Sequence, residues 1–361
     1  MLVIDSDAHV EESVDTWKYL DPEFYSRRPI AIQLPEDTCY GDHNAAWIID
    51  YKLRVFAATP TLMKRASAKG ASIPVQEMTD IPTRVTAMQG MGADRQVVFP
   101  SLWLGCIAEN LELEAALARS YNEFMATQCG LSGGSLWYAA VLPFRSPEMA
   151  IREIKRVKKM GSVAAIFVKG IEWDMPLSHP SLWPIYEEAE RQGLPLAIHT
   201  GNGSSPTITQ MLDGLPRNDT MPPGNPFANG LVSGPYVLYA FQQLLGSSFM
   251  DDFPKLRIGF LETGADWSVR LAKVLRKKKG SKVDEWLGER VFVSCEVDDE
   301  LPFIINRLGD DFLISATDYP HADGFRADQF VAQLTERGDL SERTVEKILS
   351  DNPQRFYPDL G

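Results

Sequence analysis

Three short stretches place metal-binding side chain types at the ends of apolar runs. "DSDAHVEE" at 5–12 follows "LVI", "AIHTG" carries His199, and "ISATDYPH" carries Asp318 and His321. Residues two apart on an extended segment point to the same side, so Asp7 and His9 can reach one ion. A carboxylate oxygen and an imidazole nitrogen each bind a divalent cation at about 2.0–2.2 Å. An ion held by Asp7, His9, His199 and Asp318 would acidify bound water and polarise a carbonyl or carboxylate oxygen. His321 could then orient substrate or assist a proton. Taken singly, each stretch has a plainer reading: an acidic turn at 5–12, a core histidine at 199, a helix N-cap at Asp318. Their equivalent placement on three different runs argues against all three.

Other runs end in Lys169, Glu262 and Glu296. Glu262 closes an apolar stretch and needs a cation, a donor or a metal, because a carboxylate buried unpaired is costly. A salt bridge to Lys169 would meet that need. Glu12 is a further ligand candidate, for the same ion or a second one, and Asp5 reads as structural. The chain has five His, and His43 and His179 read as surface or capping residues.

The elements that must position these groups are short apolar runs alternating with helical patterns. The runs fall at 2–5, 96–101, 136–144, 163–170, 194–201, 256–264, 291–297 and 312–320. Strands that read as continuously apolar belong to a parallel sheet covered on both faces. Closed on itself, such a sheet is a (β/α)8 TIM barrel, whose chemistry sits at the C-terminal ends of its strands. A doubly wound open sheet is the alternative, and its dinucleotide-binding version is weakened because no G-x-G-x-x-G follows a strand. The expected organisation is one domain over 1–361, with insertions after strands 1 and 5 at about 11–95 and 201–232. Long insertions of this kind are usually lids or binding loops. Trp47 and Trp103 could wall a pocket there, although aromatics are more often core.

A formal charge of −13 disfavours a nucleic-acid or anionic-membrane surface, so a small molecule is the expected partner. The four cysteines are scattered without a C-x-x-C pair, which fits reduced thiols in a cytoplasmic enzyme.

The ordered set of D-x-H with a following Glu, His199 in "AIHTG", "FLETGADW", "TDYPHADG" and a terminal "DNPQRFY" resembles the amidohydrolase superfamily. The nearer resemblance is to its amidohydrolase-related branch, which includes aminocarboxymuconate-semialdehyde decarboxylase and γ-resorcylate decarboxylase. The resemblance implies a distorted (β/α)8 barrel with one or two divalent ions, ligands at Asp7, His9, His199 and Asp318, Asp318 as the general base that handles the proton of the attacking water, and a homodimer; the carboxylate-rich donor set suits Fe or Mn at least as well as Zn. Two departures stand out. Asp7 occupies the first place of the commoner H-x-H, and Glu262 stands where a ligand or acid His is frequent, which puts a decarboxylase dependent on that His in doubt. Lys169 sits where two-metal members carry a carboxylated, bridging lysine. The leading expectation is a metal-dependent hydrolase or lyase acting on a small organic acid, with Asp318, His321 and Glu262 catalytic. A non-heme iron or di-iron oxygenase on the same barrel and a catalytically inert ligand-binding barrel are the alternatives.

Overall fold

Continuously apolar strands stay out of water only where both faces of their sheet are covered. In the computed structural model the eight runs form one parallel sheet, ordered along the chain: β1 (Ile4–Val10), β2 (Arg95–Pro100), β3 (Leu136–Ala140), β4 (Val163–Lys169), β5 (Leu196–His199), β6 (Ile258–Leu261), β7 (Val291–Cys295) and β8 (Leu313–Ser315). The structure describes residues 1–35, 37–38, 44–54, 59–63, 71–105, 107–201, 230–296, 298–321 and 329–360.

The expected (β/α)8 barrel is what these strands build. Its seam closes beyond the end of β8, where the His9 N–H donates to the Tyr319 carbonyl (2.7 Å) and the Asp318 N–H to the Asp7 carbonyl (3.0 Å). Candidate site residues are thus built into the closure itself. Helices α1 (Ile81–Gly90), α2 (Leu111–Gly130), α3 (Pro147–Met160), α4 (Trp183–Gln192), α5 (Gly230–Gly246), α6 (Asp266–Lys279), α7 (Leu301–Leu308) and α8 (Phe330–Thr335) stand between or after the strands. Their limits follow local chemistry. Asn110 and Ser146 cap α2 and α3 by accepting the N–H of Leu113 and Met149, and Gly193 ends α4 in the left-handed conformation that favours glycine.

The first strand differs from the expected 2–5: it runs through Val10, so Asp7 and His9 lie within it. Against β2 the register shifts between Asp5 and Ala8, which gives β1 one extra residue. Such a bulge twists a strand and re-aims its side chains. The Tyr357 hydroxyl of the "DNPQRFY" segment holds it by donating to the Ser6 carbonyl (2.7 Å). Asn352 of the same segment donates to the carbonyls of Asp310 (2.7 Å) and Leu313 (2.6 Å). Phe356 packs so closely on β6 that a Cβ at Gly259 would come within 2.3 Å of its ring, so only glycine fits there.

The insertion at 11–95 is not irregular throughout. It holds a small antiparallel sheet of Ile30–Gln33, Ala45–Ile49 and Lys52–Arg54, together with α1. Trp47 and Trp103 are buried in the core. Nearly all of the 201–232 insertion, and His43, lie outside the described residues.

A buried polar network joins α1 to the barrel. The Asp5 carboxylate accepts from Gln96 Nε2 (2.7 Å), Thr317 N (2.8 Å) and Thr317 Oγ1 (2.6 Å), while Arg84 Nε donates to Gln96 Oε1 (2.9 Å). Arg84 also reaches the Tyr319 carbonyl (3.3 Å) and lies 4.7 Å from the Tyr319 ring centre. Thr317 therefore ties the end of β8 to β1. Removing one member of a buried charged network leaves the others desolvated and unpaired. Arg84→Met should lower stability by about 3–5 kcal/mol in urea denaturation, whereas a loss under about 1 kcal/mol would mean the network carries little.

Candidate metal centre

The barrel closure delivers its polar side chains to one place. His199 is the last residue of β5, Glu262 follows β6, Asp318 follows β8, and Asp7 and His9 project from the bulged β1. One donor atom from each of Asp7, His9, His199 and Glu262 can be chosen so that all lie within 4.8 Å of one another, and His9, Asp318 and His321 form a second such group. His199 Nε2 lies 3.1 Å from Asp7 Oδ2 and 2.9 Å from Glu262 Oε2, while His9 Nε2 lies 3.5 Å from Asp7 Oδ1 and 3.3 Å from Asp318 Oδ1. Bonds of about 2.1 Å to one ion separate neighbouring ligand atoms by about 3.0 Å in an octahedron and about 3.4 Å in a tetrahedron. The observed spacings fit that range.

The hydrogen-bonding pattern supports the same reading. Asp7 Oδ1, His9 Nε2, His199 Nε2 and Glu262 Oε2 are buried and have no properly aligned hydrogen-bond partner among the described residues, close as they are to each other. Buried polar atoms are normally satisfied, so four orphans aimed at one point mark a place for a cation. The tautomers agree. His199 Nδ1 donates to the Thr200 carbonyl (2.8 Å) and His9 Nδ1 faces the Ser101 hydroxyl (3.4 Å), leaving both Nε2 atoms for the centre. Burial pushes the Asp7 carboxyl up to about 6 despite the opposing pull of His199. Burial lowers the His199 imidazole, but Asp7 and Glu262 outweigh it and raise it well above its usual value, so the cluster attracts positive charge. These residues fit a divalent ion.

Two of the carboxylates rest on strained backbone. Glu262 (φ 55°) and Asp318 (φ 53°) are non-glycine residues in the left-handed region, which costs on the order of 1–3 kcal/mol each. The surroundings hold them there: the Ser294 hydroxyl accepts the Glu262 N–H (2.9 Å), and Asp318 is fixed by its backbone bond across the seam.

From Asp318 a line of side chains leads outward. Asp318 Oδ1 faces His321 Nδ1 (2.9 Å), and His321 Nε2 lies 3.1 Å from both Glu11 Oε1 and Ser101 Oγ. Burial lowers the His321 imidazole, yet Asp318 and Glu11 together raise it well above its usual value. His321 and Glu11 are partly exposed, so the line joins the buried cluster to solvent.

Two expected ligands are engaged by other partners. Glu12 is turned into the core, where its Oε2 accepts the Leu102 N–H (2.8 Å). Lys169 pairs with Glu172 at 3.2 Å, whereas the sequence suggested Glu262 as its partner. Glu296 belongs to neither donor group, and His179 caps a short turn by accepting the Ser181 N–H. The sequence reading missed Glu11, Ser101, Ser294 and Glu172. Glu11 was within reach of the period-two rule, since 7, 9 and 11 share one side of an extended segment, but the other three come from separate strands and loops and leave no local signal.

Burial pushes the Glu12 carboxyl from its ordinary 4.5 up to about 8. Between these values the folded protein binds a proton that the unfolded chain releases, so this group makes stability fall as pH rises from about 4.5 to about 8. Relative to wild type, Glu12→Gln should gain stability steadily across that window in denaturation series. A constant difference would show that Glu12 does not titrate there.

A parallel eight-stranded barrel with a carboxylate and imidazole cluster at the C-terminal ends of its strands is a metal-dependent enzyme of the hydrolase or lyase class. The chain belongs to the amidohydrolase family, whose sequence profile matches residues 4–358. It is 26% identical over 260 residues to a γ-resorcylate decarboxylase from Polaromonas sp., covering 66% of this chain and 76% of that one. An amidohydrolase from Mycobacterium avium subsp. paratuberculosis superposes with a TM-score of 0.76 at 19% identity, over 100% of this chain and 99% of the other. A dihydroxybenzoic acid decarboxylase from Polaromonas sp., solved with bound manganese and 2-nitroresorcinol, gives a TM-score of 0.57 at 22% identity, over 76% and 85%. A 4-oxalomesaconate hydratase from Rhodopseudomonas palustris gives 0.62 at 18%, over 99% and 96%. Among the described residues no helix is long and apolar enough to cross a membrane.

Proposed function

We propose that the chain is a metal-dependent lyase that decarboxylates a small carboxylic acid, with one divalent ion held by Asp7, His9, His199 and Glu262 and with Asp318 beside it. The observation that carries this reading is the convergence of four buried donor atoms that lack aligned partners. Two imidazoles with two or three carboxylates suit manganese, iron or zinc, and manganese is our assignment because a decarboxylase of the same fold holds it. When bound, the ion would polarise substrate oxygens and draw off the negative charge that builds as the carboxylate departs.

The chain's own residues handle the proton. Decarboxylation replaces a carboxylate by hydrogen: one proton reaches the carbon, the bond to the carboxylate carbon breaks, and carbon dioxide leaves. In this reading Asp318 delivers that proton and regains one through His321 and Glu11, which contact each other in sequence towards solvent. Glu262, standing where a histidine acid is common, is assigned to the ion and not to proton transfer. The buried, free thiols of Cys129 and Cys295 fit a cytoplasmic setting.

A panel of aromatic and unsaturated carboxylic acids, incubated with manganese-loaded protein in deuterated water, tests the proposal. Carbon dioxide release with one deuterium in the product is expected. Turnover of the panel by hydration or ester hydrolysis alone, with no carbon dioxide formed, would overturn it.

A further inference from the structure

We propose that Lys169 binds the carboxylate of the substrate at the barrel mouth, an assignment that rests on the lyase reading above. Its position comes from the sheet. Lys169 ends β4 and lies directly beside His199 in the register of β4 with β5. Phe167, two residues earlier and therefore on the same side of the strand, has its ring 5.9 Å from that of His199. The Lys169 ammonium lies 5.7 Å from the Phe167 ring centre, so the side chain occupies the rim side of the same inner surface.

Its surroundings hold it in place. Glu172 grips it twice, accepting the Lys169 backbone N–H through Oε1 (2.9 Å) and facing the ammonium through Oε2 (3.2 Å). On the other side a Cβ at Gly201 would come within 3.1 Å of Lys169 Cγ and 2.9 Å of the Leu104 carbonyl, so glycine alone leaves room for the lysine stem. A lysine is costly to order, and here that cost is met before any ligand arrives.

Charge supplies the reason. With Asp318 holding the proton it delivers, Asp7 and Glu262 already offset the charge of one divalent ion, so the carboxylate of an organic acid needs a further cation. Among the described residues Lys169 is the one Lys or Arg that ends a barrel strand. Arg145, on the following loop of β3, is already committed: it donates to Glu114 and to the carbonyls of Ala108 and Glu109. An ammonium has three donors, and the contact with Glu172 leaves room for a carboxylate.

The test is calorimetric titration of manganese-loaded wild type and Lys169→Met with 2,6-dihydroxybenzoate and with resorcinol, which lacks the carboxylate, alongside metal analysis of both proteins. Wild type should prefer the acid. Lys169→Met should bind the acid at least about tenfold more weakly, with resorcinol binding and metal content unchanged. Lys169→Met with Glu172→Gln removes the pair together and serves if the single variant does not fold. If wild type prefers the acid and the variant does so equally, the anchor fails and the lyase reading stands. If wild type shows no preference for the acid, the lyase reading fails and the anchor with it. A metal content that falls by half or more in the variant would make Lys169 a ligand and overturn the assignment.

Discussion

His199→Ala should leave a folded protein that no longer holds a divalent ion and has lost activity by about a thousandfold or more, the several kcal/mol a metal contributes to charge stabilisation. The imidazole is fully buried, stacked on Phe99 at a ring separation of 5.3 Å and edge-on to His9 at 5.1 Å, with Nδ1 fixed by the Thr200 carbonyl. Its Nε2 faces both Asp7 and Glu262, so removing it leaves two buried carboxylates with no cation between them. Because such a cavity also costs stability, Asp7→Asn is the companion variant: it keeps the shape of the side chain and removes the charge. Metal analysis and steady-state rates on both variants check the prediction. Retention of a full equivalent of metal in both would remove β1 and β5 from the centre.

The second large effect belongs to Asp318. Asp318→Asn should keep the ion, since Asp7, His9, His199 and Glu262 remain, while kcat falls by about a hundredfold to ten-thousandfold with KM little changed. The amide keeps the side chain's volume and cannot carry the proton. His321→Gln, which breaks the contact with Asp318 at 2.9 Å and with Glu11 at 3.1 Å, should cause a smaller loss and change the shape of the pH profile. Equal losses of metal and activity in Asp318→Asn would show that Asp318 acts only by holding the ion.

The barrel was legible because its strands are apolar throughout and alternate with capped helices, a pattern that leaves few other ways to bury both faces of the sheet. The order of the site residues was legible for the same reason: each stands at or near a strand end. What the sequence did not reveal is local backbone behaviour. The bulge in β1 depends on Tyr357, some 350 residues away in the chain. The pairing of Lys169 with Glu172 was hidden because the hairpin of Ile171–Glu172 with Met175–Pro176 is too short to show a pattern. The left-handed conformations of Glu262 and Asp318 were equally hidden, since Glu rarely adopts them, Asp does so only at a minority of its positions, and the surrounding hydrogen bonds impose them here.

On this reading the barrel needs one divalent ion at the Asp7, His9, His199 and Glu262 cluster. Metal analysis of the purified protein before and after dialysis against a chelator, with carbon dioxide release measured at each stage, tests it most directly. One equivalent of metal, lost together with activity and restored with it on adding manganese, is the predicted result. Full activity in protein stripped of metal would contradict it.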